Sequence, residues 1–173
     1  MRLCLERGPL AVSMGEIATA AGVERVTLYR HFGDESQLHR AVGVFCMARF
    51  PPPDAEPLRE IRDPIARTRT ALEQLYAHWE RMGPMVRPIL RDAEIAPERV
   101  PLEMRDRYVN AIRAAVASGF PASVRRRAAL RDALAHAFDF RTWDSLQRGR
   151  FTRRRAVALM TRLVMSASHV GST

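Results

Sequence analysis

Arg25, Val26, Thr27, Tyr29, Arg30 and His31 crowd one short stretch, and all but Val26 end in a group that donates hydrogen bonds. Guanidinium groups grip phosphate oxygens, and can also take the O6 and N7 edge of guanine two-pronged. Phenol and imidazole donate to phosphate without telling one base from another. Leu28 and Phe32 fall four apart in the same stretch, the spacing of one helix face. If both turn inward, the donors are left outside, as polyanion recognition requires. Enzymatic chemistry is poorly served by comparison. His136, Asp139 and Asp144 share one segment, and His31 with Asp34 makes another thin pair. Neither comes with a nucleophile, a glycine-rich phosphate loop or a metal-ligand spacing. No catalytic role, cofactor or metal is expected.

The stretch can act only if neighbouring elements hold it. Ser13 and Glu16 have the spacing of a reciprocal cap, with Val12 just outside, and they open a helix carrying Ile17, Ala18 and Ala21 inward. Gly22 can end that helix in left-handed geometry, with Val23 following as a buried plug. The second helix runs over 25–32 and ends at Gly33. Asp34 and Gln37 cap a third, bearing Leu38, Ala41, Val42 and Phe45. Ile17, Ala21, Val23, Leu28 and Phe32 are the expected anchors. Two short helices joined in this way can place the second in a DNA major groove while the first braces it.

Pro51, Pro52 and Pro53 remove consecutive amide donors and mark the clearest boundary in the chain. It separates a head, residues 1–50, from a body, residues 58–170. Asp63-Pro64 restarts helix, with Ile65, Leu72, Tyr76 and Trp79 on its apolar face to about Met82. Gly83-Pro84 is expected to end it, and Pro88, Pro97 and Pro101 to break the next portion. Helical spacing returns over 102–118, then in one long helix over 123–146 and a last helix over 152–168. No strand alternation of useful length occurs, so the fold class is all-α.

Composition agrees with a globular chain: 173 residues, 47% hydrophobic and 27% charged. No apolar run approaches the ~20 residues of a membrane span, and no membrane partner is expected. Glu6, Arg7, Gly8 and Pro9 interrupt any leader-like start, which implies the cytoplasm. Cys4 and Cys46 are too few for a disulfide framework or a metal cluster. All 28 basic residues are arginine, so arginine abundance is discounted as a sign of function. The net charge is +9, but residues 1–50 contribute +1, 51–100 contribute −1 and 101–173 contribute +9. The positive excess thus lies away from the donor-rich stretch. Arg125, Arg126 and Arg127, with Arg153, Arg154 and Arg155, are its densest clusters and read as solvated helix faces.

The run from Ser13 to Phe32 closely resembles the helix-turn-helix of the tetracycline-repressor family of bacterial transcriptional regulators. The resemblance rests on Ile17-Ala18-x-x-Ala21-Gly22-Val23 and, three residues on, Thr27-Leu28-Tyr29-Arg30-His31-Phe32. It covers about 40 residues at the N-terminus, beyond which only the architecture is similar. It implies that Thr27 and Tyr29 touch the backbone or groove, that His31 meets phosphate, and that Arg25 and Val26 help select sequence. Two departures stand out. Glu35 occupies a place where the family usually carries a phosphate-binding lysine, which should weaken DNA binding unless it turns aside or pairs with Arg30 or Arg40. The first helix also looks about two turns short. Either the native start lies upstream of Met1 or the head is less stable than usual.

The resemblance further implies a repressor that binds a double-stranded DNA operator as a homodimer and is released by a small-molecule effector. Leu134, Phe138, Leu159 and Leu163 are the expected dimerisation residues. A ligand cavity is expected among Trp79, Met82, Met85, Tyr108 and Ile112, where proline breaks open space. The alternative is a helical dimerisation or ligand-binding protein whose head no longer binds DNA.

Overall fold

The computed structural model describes residues 2–96 and 102–169, and every regular element among them is helical. The chain opens with α1 (Arg2–Arg7), a 3-10 turn (Pro9–Ala11), α2 (Met14–Ala21), α3 (Arg25–Phe32) and α4 (Glu35–Arg49). The expected reciprocal cap of α2 is formed: the Ser13 N–H donates to Glu16 Oε2 at 2.8 Å, and the Glu16 N–H to Ser13 Oγ at 3.2 Å. Gly22 ends α2 at φ 67°, where glycine is unstrained, and the Val23 N–H reaches back to the Ala18 carbonyl at 3.0 Å. Asp34 caps α4 by accepting the Gln37 N–H at 2.8 Å. Cys4, Val12, Met14, Ile17, Ala18, Leu28 and Leu38 form one buried cluster, with Leu3 and Phe32 packed against it. Helices of 8 residues such as α2 and α3 are marginal alone. Burial at roughly 1.5–3 kcal/mol per large apolar side chain is what keeps them.

After α5 (Glu56–Glu60), α6 runs unbroken over Pro64–Ile95 with Pro84 and Pro88 inside it. The expected stop at Gly83-Pro84 and break at Pro88 are therefore corrected. Each internal proline forfeits a hydrogen bond and costs about 3 kcal/mol. Leu72, Leu75, Tyr76, Trp79, Met82 and Leu90 nevertheless continue at helical spacing and are all buried, which outweighs that cost. Pro97 and Pro101, the other expected breaks, lie outside the described residues.

Two compact units result: Met1–Pro51 with Arg81–Arg105, and Pro52–Glu80 with Asp106–Thr173. Residues 81–105, read from sequence as body, instead join the head unit. The reason is apolar: Met82 is buried with Val42 and Cys46 of α4, and Met85 and Val86 pack against them.

The second unit contains α5, the first part of α6, most of α7 (Glu103–Ala117), and α8 (Ala122–Arg125), α9 (Ala128–Ala137), α10 (Phe140–Arg148) and α11 (Arg153–His169). In place of the one helix expected over 123–146, the structure has three. Arg127 turns extended before α9, and Phe138 leaves helical geometry before Asp139 caps α10. The Asp139 carboxylate accepts the Arg141 and Thr142 N–H groups at 2.8 and 3.2 Å. The Tyr76 hydroxyl donates to the Ala137 carbonyl at the end of α9, at 2.8 Å.

Arg67 is 6% exposed, and its guanidinium ties three segments of this unit together. It donates to the Ile61 carbonyl at 2.8 Å, Arg59 carbonyl at 2.9 Å, Ala115 carbonyl at 3.0 Å and Ser118 Oγ at 2.9 Å. The carbonyls at 59 and 115 belong to the last turns of α5 and α7, which have few helical donors of their own. Arg67→Met should destabilise this unit by about 3 kcal/mol, since buried acceptors lose charged donors. Urea unfolding followed by tryptophan emission measures it, because Trp79 and Trp143 both lie in this unit. Arg67→Lys should recover only part, lacking the planar fork.

Candidate nucleic-acid interface

The stretch from Arg25 to Phe32 is helix α3, held from behind as its spacing requires. Leu28 is buried and Phe32 half-buried against the head cluster, while Arg25, Val26, Tyr29, Arg30 and His31 are exposed and Thr27 half-exposed. Val26 is 70% exposed. Arg25 Nη2 donates to Tyr29 Oη at 3.0 Å, with the guanidinium carbon 5.3 Å from the ring centroid. The phenol thus accepts from arginine and keeps its own proton to donate outward. The His31 ring meets Phe32 edge-on, centroids 4.6 Å apart, which fixes the imidazole at the C-terminal end of the helix. All six expected DNA-binding residues therefore share one short helix with a common outward flank.

Two expected anchors do not serve as such. Ala21 is exposed and Val23 is 40% exposed rather than a buried plug. The closing of the turn is done by the Val23 amide, which leaves its side chain over a shallow hollow shared with Thr27, Leu28 and His31.

Glu35, in the first turn of α4, is half-buried; the protonated form of Arg25 is favoured chiefly by its bond to Tyr29 and least by the Glu35 charge. Of the two partners expected for it, Arg40 instead pairs with Glu103 at 3.5 Å. Upstream, Arg7 Nη1 pairs with Glu16 at 2.9 Å and Nη2 donates to the Ala11 carbonyl at 2.7 Å. Sequence reasoning missed that link, for nothing in residue type marks which exposed arginine will reach a cap.

The other expected site residues are dispersed. Trp79 and Ile112 are buried in the core of the second unit, where Trp79 Nε1 donates to Tyr108 Oη at 3.3 Å. Met82 and Met85 belong to the head unit instead. Leu134 and Phe138 are buried within the protomer, Leu159 is half-buried, and Leu163 is 38% exposed. His136 Nδ1 lies 3.2 Å from Thr142 Oγ1, and Asp144 pairs with Arg148 at 2.8 Å.

Hydrogen bonds from the Ser13 amide, then from Arg7 and the Ser13 hydroxyl, hold the Glu16 carboxyl down to about 2 from its ordinary 4.5. The stabilisation it lends α2 is complete above pH 4.5 and is lost as pH falls toward 2. A carboxylate titration by NMR should place the Glu16 midpoint near 2, whereas a midpoint at 4.5 would mean the reciprocal cap does not persist in solution.

Residues 1–42 match the family profile of bacterial regulatory proteins of the tetR family. No curated protein matches by sequence. Among solved structures, the TetR family transcriptional regulator PfmR from Thermus thermophilus is similar over 99% of this chain and 96% of its own. The two are 20% identical, with a TM-score of 0.53. Residues 1–42 are thus similar to the N-terminal segment of the tetR family, and the all-helical fold is like that of the Thermus regulator.

Proposed function

We propose that the chain is a sequence-specific DNA-binding transcriptional regulator of the cytoplasm, with α3 as the element that enters the major groove. The carrying observation is the exposed flank of α3, Arg25, Val26, Tyr29, Arg30 and His31, on a helix anchored by Leu28. The tetR-family match covers these same residues and supports the reading. Tyr29 and His31 position the helix on phosphates, while Arg25 reads a guanine edge and Val26 can meet a thymine methyl group.

The regulator acts as a homodimer, since a two-fold operator needs two heads. Leu159 and Leu163, on α11, are the members of the expected set with surface left for a partner, because Leu134 and Phe138 are already used inside the protomer. A small-molecule effector binds the second unit and releases DNA by preferring a conformation that misfits the operator. The reading assigns no catalytic step.

A second reading, a helical dimerisation or ligand-binding protein with a silenced head, is favoured by Glu35 beside the DNA-facing helix. Gel-shift competition with the intergenic DNA next to the gene, at about 0.15 M salt, separates the two. Selective retention against random competitor supports the regulator. Equal loss to specific and random competitor supports the silenced head.

Tyr29→Ala should weaken binding evenly across sequences, and Arg25→Ala should change which sequence is preferred, each by about 1–3 kcal/mol. If both variants bind like the parent, α3 is not the reading element. Glu35→Gln should tighten binding to all DNA, most visibly at low salt, by removing a carboxylate that phosphate repels. Unchanged affinity would mean that Glu35 does not face the backbone.

A further inference from the structure

Near the end of α6, in the part that belongs to the head unit, the Asp92 side chain is only 3% exposed. Acids are seldom so buried unless paired. Its carboxylate is committed to the turn that leads into α2. Oδ2 accepts the Leu10 N–H at 2.8 Å, while Oδ1 takes Arg91 Nε at 2.8 Å and Nη2 at 2.7 Å. Arg91 Nη2 also donates to the Arg7 carbonyl at 2.9 Å.

The turn needs this help. Pro9 has no N–H, and the capping position is Gly8, which has no side chain to accept the amide of Leu10. Asp92 serves as that cap from 82 residues away. Gly8 lies between the two bonds at φ 95°, and a Cβ there would overlap both the Asp92 carboxylate and the Arg91 guanidinium. Backbone and side chains therefore approach as closely as glycine alone permits. Four residues on from Gly8 comes buried Val12, then the Ser13 cap of α2.

We infer that Arg91 and Asp92 are positioning residues for DNA recognition: together they clamp the Arg7–Leu10 turn and so fix the start of α2, against which α3 is held. The functional half of this inference rests on the reading of α3 as the DNA-contacting helix. Neither residue touches DNA in it.

The test uses the full chain with Asp92→Ala and, separately, Arg91→Met. Three readouts are followed: amide hydrogen exchange over residues 8–32, selective DNA affinity, and tryptophan emission, which reports the second unit alone because Trp79 and Trp143 both lie there. For Asp92→Ala, exchange over 8–32 should rise about tenfold and DNA affinity fall about tenfold, the scale of a lost charge-assisted bond, with emission unchanged. Arg91→Met should give the same pattern at smaller amplitude. Its side chain is 57% exposed, so its removal opens little cavity and keeps the Leu10–Asp92 bond, and it decides the matter should Asp92→Ala unfold throughout. Parental exchange over 8–32 in Arg91→Met and in folded Asp92→Ala overturns the clamp. Faster exchange with unchanged DNA affinity overturns its role in recognition. If the parent itself shows no selective binding, the DNA reading fails alone, and the exchange measurements still decide whether the clamp exists.

Discussion

One apolar stripe, running the length of α6, sets the terms for both compact units. Leu72, Leu75, Tyr76 and Trp79 enter the core of the second unit, and Met82 enters the cluster with Val42 and Cys46 in the first. A helix that stopped at Gly83 would leave α4 without the surface that covers its inner face. Burial along the stripe is large enough to carry two prolines through the helix interior, even though each deletes a backbone bond. The aromatic members are held further by mutual contact. Trp79 meets Phe140 edge-on and Tyr76 nearly face-on, with ring centroids 5.5 and 5.7 Å apart.

The sequence was legible where local chemistry decides the outcome. Ser13 with Glu16, Gly22, Gly33 and Asp34 mark helix ends whose bonds close within a few residues: α2 begins and ends, α3 ends and α4 begins where these signals say. Legibility failed where distant burial overrides a local signal. Pro84 and Pro88 break helices by their own chemistry, and only the opposing side chains of α4 reveal why they do not do so here. The division of 123–146 failed for the opposite reason. A favourable cap at Asp139 was hidden inside a periodic run that looked continuous. For the candidate interface, the donors on α3 could be named in advance, but not the Arg25–Tyr29 bond or the failure of Val23 to bury. The exposure of Val23 follows from the left-handed turn at Gly22, and the Arg25–Tyr29 bond from the side-chain rotamers within α3.

Charge on this chain must be read by position and not by sum. Its arginines do unlike work: Arg67 replaces water around buried carbonyls, Arg7 secures a helix cap, and Arg25 lies on the exposed flank of α3. Only the last kind is free to meet a polyanion, and a net charge of +9 cannot distinguish the three. Substituting lysine would be conservative for none of them, since Arg67 and Arg7 donate in several directions and Arg25 lays its planar group against a ring.

The stacking of Arg25 on Tyr29 means that this guanidinium has already surrendered much of its rotamer freedom before any partner arrives. In the role proposed for Arg25, engagement with a base edge requires little further ordering, but it must displace a ring and a phenol oxygen already in place. On that proposal the intramolecular stack is a standing competitor against which each base is weighed, so weak matches leave the arginine folded back on its own helix.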